Sequence, residues 1–161
     1  MSDASAVPKT QSPHERRGRR LFTAGAILLI VMGLVHSLSL IKAPVASNET
    51  ERQLLDLMSN YKFGLLGSMR SMQDLMTGFS ISFMLAALAL GAVDFALRGE
   101  RAELLKRIAF LNTLWLAVMT AVSVRYFFAA PTSFLAAALL IFLSATLTLP
   151  SNRGHDVPSQ R

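Results

Sequence analysis

The 161-residue sequence contains no cysteine. Disulfide bonds, thiolate nucleophiles, iron–sulfur clusters and cysteine-ligated zinc sites are therefore excluded. Charged residues are also scarce, at 16% of the chain against about 25% in soluble domains. The sequence has no phosphate-binding loop, no dinucleotide-binding fingerprint and no Gly-x-Ser-x-Gly nucleophile elbow. The common nucleotide-binding and serine-hydrolase classes thus have no support.

Four long stretches carry no charge at all. They comprise residues 21–41, 75–93, 108–124 and 126–152. A helix of about 20 residues crosses a hydrocarbon core of about 30 Å, so each stretch is long enough, or nearly long enough, to do so. Four such segments could not all be hidden inside one small water-soluble domain. The sequence therefore predicts an all-α membrane protein, a four-transmembrane-helix antiparallel bundle.

The predicted membrane domain covers residues 21–150. Its spans are expected at about residues 21–42, 72–97, 104–124 and 131–150. Small residues such as Gly33 in the first span and Gly78 in the second are expected to let helices approach closely. The basic, Ser- and Pro-containing residues 1–20 and the final residues 151–161 are predicted to be disordered tails.

The first apolar stretch is predicted to be a retained span, not a cleaved signal peptide. It runs for 21 residues, whereas the apolar region of a signal peptide usually has about 7–15. A cleavage site after Ala46 is also unfavourable, because Pro44 occupies the −3 position.

The long connection between spans one and two, residues 43–71, contains a candidate helix. Asn48 is a favourable N-cap, and two glutamates in the first turn complement the helix dipole. Apolar side chains recur on one face, at Leu54, Leu55, Met58 and Tyr61. This pattern predicts a short amphipathic helix that lies on the outer bilayer surface or caps the bundle. Glycines further along predict a loose connection to span two.

Lys and Arg are distributed unevenly between the two sides of the predicted membrane domain. The two tails and the second connection carry eleven, while the first and third connections carry five. By the positive-inside rule, both termini are cytoplasmic, and the predicted location is the bacterial cytoplasmic (inner) membrane. The net charge of +6 is explained by this signal and by contact with lipid phosphates, and no nucleic-acid motif is present. Expected partners are membrane lipids and either further copies of the chain or another membrane protein.

Polar residues near the outer ends of the spans form the candidate site. His36 lies in the outer third of span one, where imidazole needs a partner or a cavity. Arg70 precedes Asp74 by one helical turn, which predicts an i,i+4 pair. Arg125 ends span three on the same side, and Thr77 lies just below Asp74. These residues are expected at similar depth, as either a ligand-binding site or a structural ion-pair layer.

The remaining polar residues do not suggest a cofactor or a metal. A haem held by two histidines is not expected, because His14 and His155 lie in the tails, on the opposite side from His36. The eight methionines are scattered, as gap-filling residues are. Near the inner side, Asp94 and Arg98 are one turn apart and predict a structural ion pair.

Two short motifs resemble an uncharacterised family of small four-helix bacterial membrane proteins. Residues 67–80, Gly-Ser-Met-Arg-Ser-Met-Gln-Asp-Leu-Met-Thr-Gly-Phe-Ser, are similar to that family's pattern of Gly, Arg with Ser or Thr, Asp, and Gly-Phe entering span two. Residues 33–36 resemble its Gly-x-x-His in span one. The resemblance implies that His36, Arg70 and Asp74 belong together, and it supplies neither a reaction nor a ligand. Where the family often has an aromatic residue before the Asp, this chain has Met-Gln.

Three functions follow as hypotheses. The leading one is a non-catalytic accessory protein, or a bundle associated with lipid or a small ligand, with a polar cluster near the outer leaflet. The second is a small membrane enzyme or quinone-linked redox partner that uses His36 and Asp74 for proton transfer. The third is a subunit of an oligomeric transporter, since one four-span chain without an inverted repeat is small for alternating access.

Overall fold

The computed structural model describes residues 12–38, 40–41 and 45–151. In chain order these form α1 (Pro13–Leu38), α2 (Glu49–Asn60), β1 (Lys62–Leu65), β2 (Ser68–Ser71), α3 (Met72–Leu97), α4 (Ala102–Tyr126) and α5 (Ala129–Thr148). Four of the five helices described, α1, α3, α4 and α5, are long and apolar enough to cross a membrane, as predicted. The helical class is therefore confirmed, with a two-stranded hairpin added.

The first helix begins at a local start signal. The Ser12 hydroxyl accepts a hydrogen bond from the Glu15 N–H at 3.2 Å, as the side chain of an N-cap residue does, and Pro13 occupies the first helical position. Glu15 Oε1 in turn accepts a hydrogen bond from Arg19 Nε at 3.0 Å. These contacts explain why the helix includes two basic turns before the apolar stretch.

The early start of α1 corrects one prediction about the tails. Residues 1–20 were expected to be a disordered segment, and this is wrong for residues 13–20, which are helical. The helix also ends at Leu38, short of the expected exit near residue 42. Residues 1–11 and 152–161 lie outside the described residues.

The connection between α1 and α3 is more ordered than expected. The Asn48 side chain caps α2 as predicted, accepting the Glu51 N–H at 2.9 Å. No residue of α2 is buried, and Leu55 and Met58 are half-buried, so its apolar face is only partly covered by the described part of the chain. The predicted loose connection is instead the antiparallel hairpin β1–β2, in which Lys62 lies opposite Ser71 and Leu65 lies opposite Ser68.

An exposed ion pair on α2 is expected to give this helix a small contribution to stability that is lost in acid. Arg52 Nη2 lies 2.7 Å from Glu49 Oε2, and the hydrogen bond from Arg52 lowers the pKa of Glu49. Because the folded pKa is depressed, the pair stabilises α2 above the ordinary glutamate pKa of about 4.3, and that contribution is lost as the pH falls through the folded value. We expect hydrogen exchange of the α2 amides, corrected for its intrinsic pH dependence, to accelerate in acid. The acceleration should be smaller in Glu49→Gln, and equal profiles would contradict this assignment.

The chain divides into two compact units. The first unit contains the described residues up to Ile27 and from Val93 onward, and the second contains Leu28–Ala92. In the first unit, fully buried Phe22 and Phe142 pack edge to face with ring centroids 5.8 Å apart. This contact joins the first half of α1 to α5 at the centre of the unit.

Helices α4 and α5 of the first unit run in opposite directions. The hydroxyls of Ser123 and Thr132 lie 2.7 Å apart near the connection between the helices, and those of Thr113 and Thr146 lie 3.5 Å apart further along. Hydroxyl contacts of this kind are common between helices in lipid.

Three chain segments meet at one end of the first unit. Arg19 Nη1 donates a hydrogen bond to the Glu100 carbonyl in the α3–α4 turn at 2.6 Å. Gly18 lies so close to Leu149 that a Cβ added there would be 2.8 Å from its Cγ and 3.1 Å from its backbone nitrogen. The beginning of α1, the α3–α4 turn and the end of α5 are therefore neighbours.

In the second unit, the last turns of α1 lie directly against α3. A Cβ added at Gly33 would be 2.7 Å from Leu88 Cγ and 3.2 Å from the Leu88 backbone nitrogen. The close approach predicted for Gly33 is therefore present. Gly78, also predicted to permit packing, has no atom within 4 Å of an added Cβ and faces open space.

Candidate functional site

Asp74 has a structural role at the start of α3. Its backbone N–H donates a hydrogen bond to Ser71 Oγ at 3.1 Å, and its Oδ2 accepts the Ser71 N–H at 2.9 Å. This reciprocal pair is a capping box, which satisfies two backbone donors at a helix terminus. Ser71 is buried, so the box fixes the point at which the hairpin becomes a helix.

An open groove of about 410 Å³ runs along α3 beside this capping box. Its lining consists of Arg70, Asp74, Leu75, Gly78, Phe79 and Ser82. The two charged residues lie at one end, and apolar or small residues line the rest. It is an open groove on the surface of the helix and not an enclosed cavity. The groove exists because Gly78 has no side chain to occupy it.

Arg70 and Asp74 share the groove but differ from the predicted geometry. Arg70 belongs to β2 and Asp74 to α3, so they are not an i,i+4 pair on one helix, and within the described chain they form no ion pair. Arg70 Nη1 donates to the Met69 carbonyl at 3.1 Å. A guanidinium has five N–H donors, so most of its capacity remains for a ligand in the groove.

The lining of the groove does not include the other predicted site residues. His36 packs edge-on against the Phe83 ring, with centroids 5.0 Å apart. The Thr77 hydroxyl accepts a hydrogen bond from Gln73 Nε2 at 3.4 Å and does not line the groove. Arg125 belongs to the first unit, where its guanidinium lies 5.2 Å from the Tyr126 ring centroid.

A second polar contact, inside the first unit, was predicted with the wrong partner. Asn112 Nδ2 donates a hydrogen bond to Asp94 Oδ2 at 2.6 Å, and these residues are only 5% and 1% exposed. Arg98, the predicted partner of Asp94, instead lies over the Phe95 ring at 3.9 Å and donates to the Phe95 carbonyl. Asp94 and Asn112 therefore join α3 to α4 through a buried hydrogen bond.

Comparisons with known proteins add no assignment. No family model matches the sequence, and no curated protein or solved structure matches the chain. The resemblance of residues 33–36 and 67–80 to the four-helix bacterial family thus remains a prediction. Across the residues that the structure describes, no three His, Asp or Glu side chains come together as metal ligands would.

Proposed function

We propose that the chain is a multi-pass protein of the bacterial inner membrane, with α1, α3, α4 and α5 crossing as an antiparallel bundle and both termini in the cytoplasm. The length and apolar character of the four helices support insertion. The hydrogen bond from Arg19 to the Glu100 carbonyl supports the sidedness. It brings the basic segment before span one and the basic turn after span two to the same end, as the positive-inside rule requires.

Its role is non-catalytic binding of an amphiphile in the α3 groove. The observation that supports this role is the order of residues along the groove. Arg70 and Asp74 lie at one end, and Leu75, Gly78 and Phe79 lie beyond them. A membrane lipid has the same order of chemistry, a polar headgroup followed by apolar chains. Phe79 is 75% exposed, so it offers a large apolar surface for an acyl chain.

The two charged residues at the end of the groove restrict which lipid headgroups it can bind. A guanidinium binds phosphate strongly because it donates parallel hydrogen bonds. A carboxylate a short distance away favours a cation and disfavours a second anion. Arg70 and Asp74 together therefore fit a zwitterionic headgroup, with phosphate on Arg70 and an ammonium group on Asp74. Phosphatidylethanolamine has this combination, and its ammonium group can also donate hydrogen bonds.

Proton transfer by His36 and Asp74, the enzyme hypothesis, has less support. Asp74 lines the groove, but His36 does not, and the ring of His36 packs against Phe83. A general acid and base should instead lie within hydrogen-bond reach of one reacting group. We therefore keep the binding role as the conclusion.

The lipid preference can be measured in discs that contain equal amounts of phosphatidylethanolamine, phosphatidylglycerol and phosphatidylcholine. We expect mass spectrometry of the purified protein to show retained phosphatidylethanolamine. Arg70→Gln should reduce retention of phospholipid by about tenfold, as the loss of one charge-assisted hydrogen bond would. Asp74→Asn, whose amide oxygen can still accept the Ser71 N–H, should lose the preference for the amine headgroup.

Arg125→Gln is the matched control, because it removes an exposed arginine that does not line the groove. It should leave lipid retention unchanged. Equal retention by the wild type and Arg70→Gln would refute binding at the groove. Retention without headgroup preference in the wild type would refute the zwitterionic assignment.

A further inference from the structure

The turn of the β1–β2 hairpin has an unusual residue at its tip. Leu66 has a φ of 46° and Gly67 a φ of 85°. Two positive φ values between paired strands define a type I′ turn, in which Asn-Gly and Gly-Gly are favoured. Leucine is disfavoured in this region, because its Cβ crowds the backbone. The chain thus keeps an aliphatic side chain where asparagine would suit the backbone better.

The tip is also apolar and uncovered. Leu66 is completely exposed, and Leu65 and Met69 are about half exposed. No charged residue lies between Lys62 and Arg70, which are both at the open end of the hairpin. Turns in contact with water are normally polar. An apolar tip without charged residues is therefore expected where the turn is removed from water.

The position of the hairpin indicates what covers it. β2 ends at Ser71 and α3, a candidate span, begins at the next residue. Tyr61 and Lys62, at the start of β1, are residue types that favour the membrane–water interface. We propose that the hairpin folds over at this boundary and that its tip, Leu65, Leu66 and Met69, inserts into the lipid leaflet in which α3 begins. This inference rests on the proposed function, since it requires α3 to span a membrane.

Because the chain has no cysteine, one introduced cysteine gives a single labelling site. Leu66→Cys would carry an environment-sensitive nitrobenzoxadiazole label in discs of phosphatidylcholine and phosphatidylglycerol. Nitroxide-bearing lipids quench labels in the leaflet, and iodide quenches labels in water. We expect the label at residue 66 to be quenched by the nitroxide lipids and to be several-fold less sensitive to iodide than a label at Gln53→Cys on the polar side of α2.

Two outcomes would overturn the insertion. Iodide quenching at residue 66 equal to that at Gln53→Cys would mean that the tip lies in water. Protection from both quenchers would mean that protein, such as a second copy, covers the tip. A label at Leu114→Cys, an exposed position in α4, shows whether only the insertion of the tip has failed or whether the helices do not cross the membrane at all. If lipid nitroxides fail to quench that label, the proposed membrane insertion itself is wrong.

A substitution at the tip provides a second test. Leu66→Asn should preserve the turn, because asparagine tolerates a positive φ, while removing the apolar group. A label at Met69→Cys should then become several-fold more sensitive to iodide. Leu66→Met keeps an apolar side chain and should leave that sensitivity unchanged. Equal sensitivity in the two variants would contradict anchoring by Leu66.

Discussion

Replacing Asn112 with leucine is expected to destabilise the protein by about 1–3 kcal/mol, the usual cost of removing a partner from a buried polar group. The Asn112 amide donates to the Asp94 carboxyl at 2.6 Å, and Asp94 is 1% exposed. Because Asp94 is almost completely shielded from solvent, water has little access to take the place of that donor. Unfolding by sodium dodecyl sulfate from bicelles would measure the change in free energy.

A double-mutant cycle identifies the cause of this loss. Asp94→Leu should also destabilise, because it leaves the buried Asn112 amide without its acceptor. The double variant, with leucine at both positions, should lose less than the sum of the single losses, by about 1 kcal/mol. Strict additivity would show that Asp94 and Asn112 do not interact in the folded protein.

The partner of Asp94 could not be deduced from local spacing. The i,i+4 rule favours Arg98, but α3 ends at Leu97, and the Arg98 guanidinium stacks on Phe95. Asp94 instead faces the neighbouring helix, and only tertiary structure reveals which face of α3 is buried. Local spacing gives no indication of Asn112, because that residue belongs to the next helix, α4.

The helices themselves were largely predictable, because their apolar stretches are long and uninterrupted. The early start of α1 was also encoded, by Ser12, Pro13 and Glu15, but the basic composition of that segment favoured a tail. The hairpin had a weaker signal, because leucine replaces the asparagine that normally marks a type I′ turn at residue 66. The glycines of this segment were interpreted as signs of a loose connection, whereas the segment forms an ordered hairpin.

The candidate site was only partly predictable. Arg70 and Asp74 were expected to be close, and both line the groove. The spacing Ser71-x-x-Asp74 could have identified the capping box, and hence the helix start that separates Arg70 from α3. Arg125 was grouped with them by depth alone, and His36 by depth and by the family resemblance, but depth does not specify which helix faces meet. Gly78 was interpreted as a packing residue, although it opens the groove.

Gly33→Ile is expected to be strongly destabilising, by about 3 kcal/mol, the upper end of the usual overpacking range. An added Cβ would lie 2.7 Å from Leu88 Cγ and 3.2 Å from the Leu88 backbone nitrogen. The leucine side chain could rotate away, but the backbone could not move without displacing α1 from α3. Detergent-induced unfolding would detect the change as a large shift in midpoint.

Gly78→Ile is the matched control, since it places the same side chain in a helix where nothing lies within 4 Å of the Cβ. Isoleucine has a higher helix propensity than glycine, so stability should be unchanged or increase by about 0.5 kcal/mol. The new side chain would nevertheless fill the groove beside Phe79 and displace a bound lipid. Gly78→Ile should therefore resemble Arg70→Gln in lipid retention and the wild type in stability, whereas Gly33→Ile should lose stability. Equal destabilisation by the two isoleucines would mean that Gly78 is also covered by a helix, and the groove would not be available to lipid.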